Sequence, residues 1–122
     1  MLSSIGPILI VSGLIAVGSG LAALLAPRLF LRLGFGDESA SGSSVFFVQH
    51  WGVLIFVVGA LIAYSAYAPA IRVPVLVAAV VEKIALGLLV FFGPLKRTGG
   101  MTATALMDGL FAILYIAYLA AL

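Results

Sequence analysis

The sequence contains no cysteine. That excludes disulfides, iron–sulfur clusters, thiolate metal sites and thiol catalysis, and it leaves the redox compartment unstated. Charge is almost as scarce. Charged residues make up 8% of the 122 positions, against roughly 25% in a soluble domain. With 65% of the residues apolar, too little polar surface remains to solvate a globule of this size. One small membrane domain is the reading. There is one histidine, so no His pair at i, i+4 spacing exists and no metal is expected. Thr98-Gly99-Gly100 reads as a turn; without a following Gly-Lys-Ser/Thr pattern it is no phosphate loop. No nucleophile, base and orienting acid can be assembled, so enzyme activity is the least supported function. The net charge of +2 and pI near 9.3 do not point to nucleic acid, because four of the six basic residues flank apolar runs.

What the chain does have is four long apolar runs. Segment one spans about 5–26. Ser3 and Ser4 can cap it, Pro7 suits a first helical turn, and Pro27 ends it. No Lys or Arg precedes Arg28, so the run lacks the basic start of a signal peptide and is expected to be a retained helix. Its small residues recur every four positions (Ser12, Ala16, Gly20) and every seven (Gly6, Gly13, Gly20), a pattern that lets another helix backbone approach closely in lipid. Segment two spans about 45–66 and segment three about 75–93, with Pro74 in its first turn and the prolines of 67–74 expected to break the chain between them. Segment four spans about 101–122. Each is about 20 residues, which at 1.5 Å per residue matches a hydrocarbon core of about 30 Å. Barrel strands alternate over about 10 residues, unlike these continuous runs. The expected fold is all-α: an integral membrane up-down-up-down four-helix bundle.

Between the first two segments, residues 27–36 place Arg28 and Arg32 four apart among leucines and phenylalanines. They are expected to form a short interfacial helix with its arginines on lipid headgroups. Lys96 and Arg97 in the last loop are expected to do the same. Arg28, Arg32, Lys96 and Arg97 fall on one side and Arg72 alone on the other, so both termini are expected outside the cytoplasm. Tyr64, Tyr67, Tyr115 and Tyr118 read as interfacial belt residues, and Trp51 as an interfacial anchor.

The chemistry-bearing residues are few: His50, Glu82, Lys83 and Asp108 all fall inside apolar segments, with Gln49 beside the histidine. A charge at the centre of a lone helix costs about 2.5–3.5 kcal/mol on insertion scales, so these groups are expected to face one another or a wet cavity. Counting from the side taken as cytoplasmic, His50 lies roughly 8 Å in, Asp108 roughly 10 Å and Glu82 roughly 16 Å. One shared polar site is therefore expected, with Glu82 turned towards His50 and Asp108. Lys83 points about 100° away from Glu82, and is expected to pair sideways with Asp108 or across a subunit contact. The plainer alternative is that the polar network only fixes helix register.

The four apolar helices, the glycine-rich first helix closing with Pro27 and Leu33-Gly34, and the Glu82-Lys83 pair resemble the DoxX-like group of small four-helix bacterial membrane proteins. The resemblance implies a multi-pass protein of the bacterial inner (plasma) membrane and an accessory role in a redox complex. The lack of cysteine sets direct sulfur chemistry against it, and no catalytic residue carries over. The leading functional expectation is a binding protein or complex subunit that holds a small amphiphile, a quinone or a lipid headgroup, at the polar site. A scaffold within a larger membrane complex and an oligomeric proton-linked transporter are the alternatives. The expected partners are membrane lipids and either further copies or a larger complex.

Overall fold

The computed structural model describes residues 5–35, 42–93 and 98–122. These form five helices and no strand: α1 (Ile5–Leu25), α2 (Pro27–Phe35), α3 (Gly42–Ser65), α4 (Pro69–Phe92) and α5 (Gly99–Ala120). All but α2 are long and apolar enough to cross a membrane. The expected short helix after the first long one is present as α2, with Arg28 and Arg32 both exposed. Lys96 and Arg97 lie outside the described residues.

Local chemistry sets the boundaries. Pro69 starts α4, where its missing N–H costs nothing. The helix then runs through Pro74, in place of the break expected before Val75. Pro74 sits only one turn in, so a single carbonyl, that of Ala70, loses its helical donor. The Thr98-Gly99-Gly100 stretch is likewise a helix start. Thr98 is the N-cap of α5, its side chain accepting from the Met101 N–H at 3.1 Å.

Helices α1 and α3 approach each other backbone to backbone. A methyl group added to Gly13 would lie 2.6 Å from the Gly59 carbonyl oxygen, and one on Gly20 would lie 2.5 Å from that of Gly52. Moving up α1 moves the contact down α3, so the two helices are antiparallel. Of the seven-residue glycine series, Gly13 and Gly20 make the seam, whereas Gly6 faces open space.

The α4 and α5 pair is antiparallel too: Val90 clusters with Met101 and Ala105, Lys83 meets Asp108, and Leu76 clusters with Tyr115. The larger core lies at one end of the molecule, where Ile5 and Leu9 of α1, Ile62 of α3, Leu76 and Ala79 of α4 and Tyr115 of α5 pack together. Arg72 closes that end. Its Nε donates to the Ser65 carbonyl at 2.9 Å and its Nη2 to the Ala66 carbonyl at 3.1 Å. These are carbonyls at the end of α3 without helical donors, and the cation also suits the negative end of that helix. Arg72 Nη1 donates to the Tyr118 hydroxyl at 3.2 Å, with the guanidinium over the ring.

Candidate functional site

The three chemistry-bearing residues of α4 and α5 come together. Lys83 Nζ donates to Asp108 Oδ1 at 3.0 Å, and both residues are buried. The stem of Lys83 brings its ammonium to 5.8 Å from the Phe111 ring centroid, a cation–π distance. Glu82, one residue earlier and pointing elsewhere on α4, is half-buried and, among the described residues, has no hydrogen bond or ion pair. All three line one small cavity of about 90 Å³ in the middle of the molecule. Every helix contributes to its wall: Ser12 and Ser19 from α1, Phe30 from α2, Trp51 from α3, and Thr104 and Phe111 from α5 besides the charged trio.

His50 does not join them. It is exposed on α3, on a face away from the cavity. Counting along the chain places it at a compatible depth, but depth leaves rotation open, and consecutive residues on a helix point about 100° apart. Its neighbour Trp51 is the residue that turns inward. Trp51 is half-buried and packs on Phe30 with ring centroids 5.3 Å apart. Gln49 ties α3 to α1. Its Nε2 donates to the Leu24 carbonyl at 3.2 Å, one of the carbonyls left open at the end of α1.

The tyrosines divide. Tyr64 and Tyr67 are exposed, as belt residues would be, but Tyr115 and Tyr118 are buried. The Tyr115 hydroxyl bonds the Ser12 hydroxyl across α1 and α5, and Ser12 in turn donates to the Ile8 carbonyl at 2.7 Å. A buried hydroxyl without a partner costs about 1–3 kcal/mol, so the pair satisfies both groups. The inward turn of Tyr115, though not its partner on α1, follows from spacing: Thr104, Asp108, Phe111 and Tyr115 recur every three or four residues and so share one face of α5.

A second hollow opens beside the first. It is a lateral groove of about 620 Å³ between α2, the start of α3, the end of α4 and the start of α5. Its walls are almost wholly apolar, including Leu29, Leu33, Phe47, Leu89 and Val90. Phe30, Trp51 and Thr104 line both the groove and the central cavity, so the two spaces adjoin. The arrangement is a small charged pocket beside an apolar groove, with Phe30, Trp51 and Thr104 between them. Among the described residues no group of His, Cys, Asp or Glu could hold a metal ion. Compared with known protein families, curated proteins and solved structures, the chain matches none.

Proposed function

We propose that the four long helices cross a bacterial inner membrane as an up-down-up-down bundle, with both termini outside, and that the protein binds a small amphiphile. The head of the amphiphile lies in the central cavity and its apolar body lies in the lateral groove. The observation that carries this reading is the shared wall. Phe30, Trp51 and Thr104 bound the charged cavity on one side and the apolar groove on the other, and amphiphiles have the same division of character. A site that served only to fix helix register needs neither a cavity nor a groove. Native mass spectrometry of the protein released from membranes tests the reading. The expected result is a retained amphiphile that organic extraction recovers; a protein with no adduct and no saturable binding on titration contradicts it.

A second reading, an accessory subunit of a larger membrane complex as in the DoxX-like resemblance, is favoured by the outer face of α4 and α5. There a shallow apolar groove of about 580 Å³ includes Gly87 and Gly109, and a side chain at either would meet nothing within 4 Å. Such a face admits another helix. Crosslinking in native membranes is expected to give a defined heteromer on this reading and a monomer otherwise.

A further inference from the structure

We propose that the amphiphile is cationic: a single-chain aliphatic amine whose ammonium sits in the central cavity against the Glu82 carboxylate and whose chain runs out along the lateral groove. The inference rests on the amphiphile reading and names the chemistry of the head.

Three observations lead there. The first is the charge count. The cavity wall carries one formal positive charge, on Lys83, and two negative charges, on Glu82 and Asp108. Lys83 is matched by Asp108 at 3.0 Å. Glu82 makes no ion pair of its own among the described residues; the Lys83 ammonium acts on it only from beyond salt-bridge distance and is shared with Asp108. An anionic head would add to the excess negative charge in a confined, largely apolar setting, where like charges repel strongly. A cation completes the pairing.

The second observation is the wall. Phe30, Trp51 and Phe111 line the cavity, and aromatic faces attract cations, most strongly where the cation has lost its water. Lys83 already makes such an approach to Phe111. The third is size. A volume of about 90 Å³ is well below the 300–1,000 Å³ or so of pockets that hold drug-sized ligands. Such a space suits a compact head of a few atoms. The adjoining groove of about 620 Å³ takes an alkyl chain, and Thr104 and the Phe30–Trp51 pair form the threshold between them.

The chain carries a built-in reporter, because Trp51 is its single tryptophan and lines both spaces. The experiment titrates the intact chain in neutral detergent with dodecylamine, dodecyl sulfate, dodecanol and a short-chain quinone, following Trp51 emission. Dodecylamine is expected to give a saturable change. Methylammonium competing without a chain separates recognition of the head from burial of the tail: it is expected to displace dodecylamine only at far higher concentration. Glu82→Gln is expected to weaken dodecylamine binding about tenfold or more, as loss of a desolvated charge partner does, while Glu82→Asp retains it. Thr104→Leu fills the threshold without altering charge and is expected to weaken binding with Glu82 intact, so the test does not depend on one variant folding. Saturable binding of the quinone or dodecanol in preference to the amine, indifferent to Glu82→Gln, overturns the cationic assignment and leaves the amphiphile reading standing. Non-saturable responses to every probe overturn both.

Discussion

The α1·α3 seam and the α4·α5 seam are both antiparallel helix contacts, yet they are held by opposite means. In the first, Gly13 and Gly20 meet Gly59 and Gly52 backbone to backbone, with no room for a methyl group. In the second, long side chains keep the helices apart: Lys83 reaches across to Asp108, and lines both the central cavity and the outer groove. The difference explains where the chemistry sits. A glycine seam is a close contact that leaves no space between the two backbones. The seam built on an ion pair must hold its charged groups apart from the apolar surroundings, and it leaves hollows on both sides. The candidate site lies against the open seam because the closed one admits nothing.

The ion pair is where substitution should cost most. Asp108→Ala leaves the Lys83 ammonium buried without a partner, and is expected to cost about 3–5 kcal/mol, read as a lower midpoint in denaturing-detergent unfolding. Replacing both members together, with Lys83→Met and Asp108→Leu, is expected to restore most of that loss, since a buried pair is often no more stable than apolar groups of similar volume. If the double variant is as unstable as the single one, the pair holds the seam by more than its mutual compensation.

Next in size are the glycines. Gly20→Ala or Gly52→Ala forces the helices apart and is expected to cost about 1–3 kcal/mol each by the same assay. The two together should cost less than their sum, because they act on one contact. Tyr115→Phe removes the hydroxyl shared with Ser12 and is expected to cost about 1 kcal/mol; adding Ser12→Ala should change little further. The smallest effect is the control. Gly6→Ala lies on the same helix as the seam but meets nothing, and should leave stability unchanged or raise it by up to about 1 kcal/mol through helix propensity.

The elements legible in the sequence are those set by composition and period. Four apolar runs of spanning length, the short arginine-bearing helix and the seven-residue recurrence of Gly13 and Gly20 all follow from local spacing. Pro74 misleads, because a proline reads as a break, and nothing in the spacing marks Pro69 to Arg72 as the first turn of the same helix. At the site, the pairing of Lys83 with Asp108 is legible from charge scarcity: isolated charges in apolar helices need one another. The fate of His50 is not. Depth can be counted along a chain, but which face of α3 turns inward depends on the glycines Gly52 and Gly59 docking on α1, and that contact points Trp51, not His50, at the cavity. The meeting of Ser12 with Tyr115 is hidden for a similar reason. Nothing in either segment alone says that their hydroxyls will meet.

Single-cysteine labelling in native membranes can tell whether an amine occupies the space beside Thr104, and the absence of natural cysteines makes it clean. One variant carries Thr104→Cys, at the threshold between cavity and groove; the other carries His50→Cys, on the exposed face of α3. Each is reacted with a small membrane-permeant maleimide, with and without dodecylamine. The amine is expected to protect the thiol at 104 and to leave the rate at 50 unchanged. Equal rates at both positions, with no protection at 104, would contradict that occupancy.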